Sequence, residues 1–222
     1  MSRSKTQRQP KQIVGLIVDG KDEGWYLNAL KDHLHSDRLK RSNLKPELPS
    51  KKKIKELFGI AERMIKNDGY DKVFLIVDLD EPLKEKQEGK GEELEMFKTW
   101  YSRYMQAQQQ TPYKGKHKWM QQLTIVVNNP CLEYWHLLHF KQTNKYFPNY
   151  EDLLTDLKRY LPEYDKSEKY YLAKPNNIFD KLGKEEGLSK AVSNAGLLGD
   201  FDVNNCTSTG MTEMDEIINY FR

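Results

Sequence analysis

The chain predicts an α/β fold: a mostly parallel sheet flanked by helices, followed by a helical C-terminal part. Three observations carry that reading. Short apolar runs at 13–18, 73–77 and 123–127 are continuous rather than alternating, as in strands buried on both faces. Segments whose apolar residues recur at helical spacing stand between them. The first two runs end directly in acidic clusters, Asp19-Gly20-Lys21-Asp22-Glu23 and Asp78-Leu79-Asp80.

Taken in order, residues 1–11 form a basic tail with Arg3, Lys5, Arg8 and Lys11 and are expected to be disordered. Strand one covers 12–18. A helix from Asp22 to about Ser36 presents Trp25, Tyr26, Ala29, Leu30 and Leu34 at helical spacing. Residues 44–48 suit a short second strand, which Pro46 confines to an edge or a bulge. Ser50 is placed to cap a helix carrying Ile54, Leu57, Phe58, Ala61, Met64 and Ile65, and Asp68-Gly69 ends it. Strand three is 72–77. The charged, glycine-containing stretch 81–93 reads as a loop on the rim of a site, a candidate flap. A helix through Leu94, Phe97, Trp100, Tyr101, Tyr104 and Met105 follows, then a polar loop over 106–118 and strand four at 123–127. Asn128-Asn129-Pro130 reads as a turn and 131–140 as a buried helix. From 141 the expectation is all helix, with segments at 150–160, 176–183, 186–198 and 210–221 packed on a core spanning 12–140.

The acidic clusters give the chemistry. In open α/β sheets the ligand site lies outside the carboxyl ends of the strands. Carboxylates delivered there by two strands converge and repel, and a divalent cation relieves the repulsion. Hard oxygen donors favour Mg²⁺ or Mn²⁺. Asp78 and Asp80 are two residues apart, so in extended chain they share a face. The Asp19-Gly20 turn leads into a helix N-terminus, which suits phosphate; its plain alternative is an Asp-Gly turn. Glu133, His136 and His139 recur every three residues near one helical face. The helix around them is otherwise apolar, so buried packing groups are favoured over zinc ligands, and Glu133 is retained as a supporting residue. Trp100, Tyr101 and Tyr104 read as core aromatics rather than a base-stacking platform.

With 36 basic and 33 acidic residues, the net charge of +3 is too mild to argue nucleic-acid binding by itself. The distribution says more. Lys51, Lys52, Lys53 and Lys55 form a cluster that, with Lys21, is placed to neutralise phosphates, or else to solvate a helix start. No apolar run approaches a membrane span, and the basic N-terminus lacks the apolar stretch of a secretory signal. Cys131 and Cys206 form no Cys-x-x-Cys pair, which excludes a zinc ribbon and fits a reducing cytoplasm.

Three stretches together resemble the RloB family: Ile17-Val18-Asp19-Gly20-Lys21-Asp22-Glu23, Ile76-Val77-Asp78-Leu79-Asp80, and the long run from Asn128 through Pro130, Cys131, Glu133 and Trp135 to Phe140. The last is the most specific. The resemblance extends more weakly through Lys174, Asn176, Asn177 and Ile178 and through Ala191 to Ala195. It implies a bacterial phage-defence protein with a Toprim-like catalytic core, often encoded beside an ATPase or restriction partner. The Toprim Asp-x-Asp then falls on Asp78 and Asp80. The Toprim glutamate falls on Asp19, a departure that shortens the side chain by one methylene, with Glu23 on the next helical turn placed to help.

The expected activity is Mg²⁺-dependent cleavage of nucleic acid by Asp19, Asp78 and Asp80. RNA such as tRNA is preferred, because an effector that halts translation needs little sequence specificity; DNA is the runner-up. The alternative is a non-catalytic sensor or adaptor that binds a partner ATPase or a nucleotide.

Overall fold

The computed structural model describes residues 12–34, 39, 41–45 and 52–222. The basic tail, Ser50 and Lys51 lie outside the described residues. The strands are β1 (Val14–Ile17), β2 (Asn43–Lys45), β3 (Lys72–Asp78), β4 (Leu123–Asn129) and β5 (Met211–Thr212). They form one sheet in the order β2-β1-β3-β4-β5. The first four are parallel, and β5 runs antiparallel to β4. The helices are α1 (Lys21–His33), α2 (Ile54–Lys66), α3 (Asp80–Gln87), α4 (Glu92–Gln108), α5 (Leu132–Leu138), α6 (Tyr150–Leu157), α7 (Glu168–Leu172), α8 (Ile178–Lys181), α9 (Lys184–Ala195) and α10 (Met214–Phe221).

The continuous apolar runs become strands because both faces of the sheet are covered. Val14, Leu16, Val18, Phe74, Ile76 and Val126 pack into one core with residues of α1, α5 and the C-terminal helices. Ile17, Val73, Leu75, Val77, Ile125 and Val127 point the other way, into a core shared with α2 and α4. β2 is the edge strand, as Pro46 implies. From β1 the chain steps outward to β2, then returns to place β3 on the other side of β1. That reversal opens a crevice at the carboxyl ends of β1 and β3, the usual ligand position in such sheets. No helix among the described residues is long and apolar enough to cross a membrane.

Several local expectations are corrected. The stretch after Asp80 is helix α3, not a flap. Pro82 falls in its first turn, where the backbone N–H groups have no helical partner to lose, and Asp80 and Glu81 complement the positive end of the helix. Helix α2 starts at Ile54, its N-cap Lys53 gives no side-chain cap, and the Ile54 N–H donates instead to Glu93 Oε2 at 2.9 Å. Asn128 and Asn129 continue β4 rather than turning. The C-terminal part is not all helix, since β5 joins the sheet and Asn128 pairs with Thr212. It also includes helix α7, on which Tyr171 is buried. Trp100 stacks on Phe58 at 5.0 Å and Tyr101 is buried, so these aromatics are core residues.

A buried polar contact ties α1 to α5. Trp135 Nε1 donates to Tyr26 Oη at 2.7 Å, with both side chains fully buried. Tyr26→Phe leaves the indole N–H without an acceptor and should lower unfolding free energy by about 1–3 kcal/mol. A denaturant midpoint unchanged from wild type would refute that cost.

Candidate functional site

Asp78 ends β3, and its carboxylate is fixed from two sides. Asn128 Nδ2 donates to its Oδ1 at 2.9 Å, and the Leu132 N–H at the start of α5 donates to Oδ2 at 3.2 Å. Glu23, on the first turn of α1, is an acidic neighbour close enough to raise its carboxyl. Asn128 is itself held by Thr212 Oγ1, which donates to Asn128 Oδ1 at 2.6 Å. The last strand of the sheet therefore braces the residue that orients Asp78. Gly20 leaves room for the α1 carboxylates: a Cβ there would sit 2.5 Å from Glu23 Oε2 and 2.9 Å from Asp22 Oδ1 and would push them aside.

Around Asp78 the crevice collects more acid. Asp22, Glu23 and Glu133 are buried, and Asp80 is half-buried at the start of α3. Among the described residues, a cation stands with them. Lys166 Nζ lies 2.9 Å from Asp22 Oδ2 and 3.3 Å from Glu133 Oε1. Tyr164 donates its hydroxyl to Glu133 Oε1 at 2.8 Å and meets the Tyr171 hydroxyl at 2.6 Å, which in turn meets His136 Nε2 at 3.0 Å. Oε2 of Glu23 and Oε2 of Glu133 are buried with no hydrogen-bond partner among the described residues. Asp80 and Lys166 line a cavity of about 530 Å³ together with Glu81 and Tyr150.

The electrostatics follow from dryness and crowding. Burial, then repulsion from Glu23, Asp80 and Asp22, holds Asp78 well above the usual carboxylate range. Burial and the neighbouring Asp22 raise Glu23 from 4.5 to about 8. Both shifts favour the protonated, uncharged form, as dry surroundings and like neighbours require. Burial raises Asp22 and Asp80 as well. Burial works to lower Lys166, but Glu133 and Asp22 outweigh it and hold the ammonium above its ordinary range.

Asp19 lines a neighbouring cavity of about 650 Å³ with Lys52, Lys53, Glu81 and Glu85, and Glu81 borders both cavities. Lys21 and Lys55 are exposed, on α1 and α2. The structure thus groups Asp78, Asp80, Glu23 and Glu133, while Asp19 lines the neighbouring cavity that shares Glu81 with the first. Asp22, Asn128, Tyr164 and Lys166 were not singled out from sequence. Lys166 sits in a polar stretch with no spacing signal, and Asp22 stood in the first cluster beside the residue chosen from it. His136 and His139 are fully buried, and His139 Nδ1 meets the Trp135 carbonyl at 3.0 Å. Burial pushes both imidazoles down, His139 to about 4, so they are neutral packing groups.

A family model described as RloB, RloB-like protein, matches residues 15–221, nearly the whole chain. The chain belongs to the RloB family. No curated protein and no solved structure matches it. In this RloB-like protein both cysteines are free and buried. Among the described residues no three His, Cys, Asp or Glu side chains stand ready as a cage for a metal ion. A Mg²⁺ site does not need one, because this ion keeps several waters and takes one or two carboxylates plus substrate phosphate. The donors here fit it: all are hard oxygens, two of them buried and unpartnered.

Glu23 binds its proton more tightly folded than unfolded, so between 4.5 and about 8 the native state carries more protons. In chelator, stability should therefore fall as pH rises through that window, and Glu23→Gln should flatten the fall. Identical pH dependence of the denaturant midpoint in wild type and variant would contradict this.

Proposed function

We propose that this RloB-like protein is a metal-dependent phosphodiester hydrolase acting on nucleic acid in bacterial defence against phage, built on a Toprim-like core. RNA such as tRNA is the preferred substrate, DNA the second, and an ATPase a candidate partner. The observation that carries the reading is the convergence of Asp78, Asp80 and Glu23 at the switch point of a parallel sheet, with unpartnered carboxylate oxygens beneath an open cavity. Asp78 and Asp80 would hold Mg²⁺ or Mn²⁺, with Asp19 or Glu23 completing the set. When bound, such an ion neutralises phosphate charge and makes water more acidic. The chain's own groups do the rest. Lys166, on the cavity wall, meets the charge of the phosphate. Asn128 and the Leu132 N–H keep Asp78 oriented. Asp19, where Glu23 completes the metal set, would take the proton of the attacking water as it bonds to phosphorus and the P–O ester bond breaks, and would pass it to the departing oxygen.

Lys166 supports a second reading. An ammonium already nested between Asp22 and Glu133 neutralises part of the acidic crevice without metal, as in a non-catalytic adaptor with a degraded site. The two readings part on metal binding and cleavage. Purified protein incubated with total RNA and with plasmid DNA should cleave in Mn²⁺ and stop in chelator. Asp78→Asn and Asp80→Asn should each lower cleavage about 10²–10³-fold, the scale of losing a charge-stabilising group. Calorimetry showing no Mn²⁺ binding, with no cleavage of either nucleic acid, would leave the adaptor.

Asp19→Glu should keep or raise cleavage, since it retains the charge and extends its reach, whereas Asp19→Asn should lower it sharply. Equal rates for Asp, Glu and Asn would reduce Asp19 to a turn residue.

A further inference from the structure

A third cavity lies at the other end of the sheet. Its volume is about 660 Å³, and its wall includes Lys66, Lys114, Lys116 and Lys118 with Tyr113 and Trp119. No Asp or Glu among the described residues lines it. In a chain whose charges nearly balance, four lysines around one hollow without an acid is a local concentration. Lys114, Lys116 and Lys118 are exposed and make no ion pair among the described residues; Lys66 is paired with Glu62. Trp119 is 2% exposed, and its indole N–H is buried with no acceptor. The field is felt next door: burial, Arg103 and Lys116 together hold His117 below its ordinary range. Free cations and an unmet donor share one need, an anionic oxygen ligand.

The place matters as much as the charge. Lys118 opens the 3-10 turn that leads directly into β4, whose far end carries Asn128 and, through it, Asp78. Seven strand residues separate these ends, roughly 20 Å at about 3.3 Å per residue. A duplex advances about 3.4 Å per step, so roughly six steps cover that length. We infer that the cavity walled by Lys66, Lys114, Lys116 and Lys118 binds the phosphate backbone of a nucleic acid whose other part lies at the carboxylate site. The choice of nucleic acid over an anionic lipid surface rests on the proposed hydrolase activity, which needs a polymer of phosphates long enough to touch both ends of the sheet.

The test is binding without turnover. A fluorescent RNA of about 40 nucleotides is titrated in chelator at several salt concentrations, with wild type and with Lys114→Gln/Lys116→Gln/Lys118→Gln. Loss of three phosphate contacts should weaken binding about tenfold or more near physiological salt and make the log–log salt slope shallower by about 2. All three side chains are exposed, so circular dichroism and thermal midpoint should match wild type. Unchanged affinity and slope overturn the inference, as does wild-type protein that does not bind RNA. Binding to phosphatidylserine vesicles that the variant loses, with no binding to RNA, overturns it in favour of a lipid surface. Failure of the hydrolase reading shows separately: RNA binding responds as expected, but Mn²⁺ brings no cleavage.

Discussion

Like charges forced together in a dry crevice are the condition that organises this molecule. Asp22, Glu23, Asp78 and Glu133 would each rather be in water, and each is buried. What holds them is a set of partners drawn from distant parts of the chain: Asn128 from β4, the Leu132 N–H from α5, Lys166 and Tyr164 from the segment before α7. Those elements sit where they do because both faces of the sheet are covered by apolar cores. Hydrophobic burial thus provides the energy that keeps repelling groups in contact, a usual arrangement where a fold stores strain at a functional site.

The parts of the fold that were legible in sequence share one property. β1, β3 and β4 are continuous apolar runs, and burial on both faces leaves a signature that needs no knowledge of neighbours. Elements defined by partners left no such trace. β5 is two residues long, too short for any periodicity, and exists because Asn128 and Asn129 offer it an edge. Helix α3 is mostly charged, so composition suggested a loop, while its first-turn proline and acidic start agree with helix once β3 places it.

The site divides in the same way. Asp78 and Asp80 announced themselves by following a strand. Glu133 was visible as a charged residue in an apolar helix. Lys166 was not, because one lysine among polar residues carries no pattern, and only tertiary contact shows it between Asp22 and Glu133. Membership of the RloB family spans both kinds of residue without distinguishing them.

Thr212 has a consequence for the history of each molecule. The hydroxyl that steadies Asn128, and so Asp78, is contributed by residue 212, and the ammonium among the carboxylates by residue 166. During synthesis the strands bearing the acids leave the ribosome long before these late partners do. A nascent chain therefore carries the acidic residues in an unfinished arrangement, and the arrangement is completed only once residues 166 and 212 have followed. A product cut short before residue 212 would lack the brace, which ties the assembled crevice to synthesis through that residue.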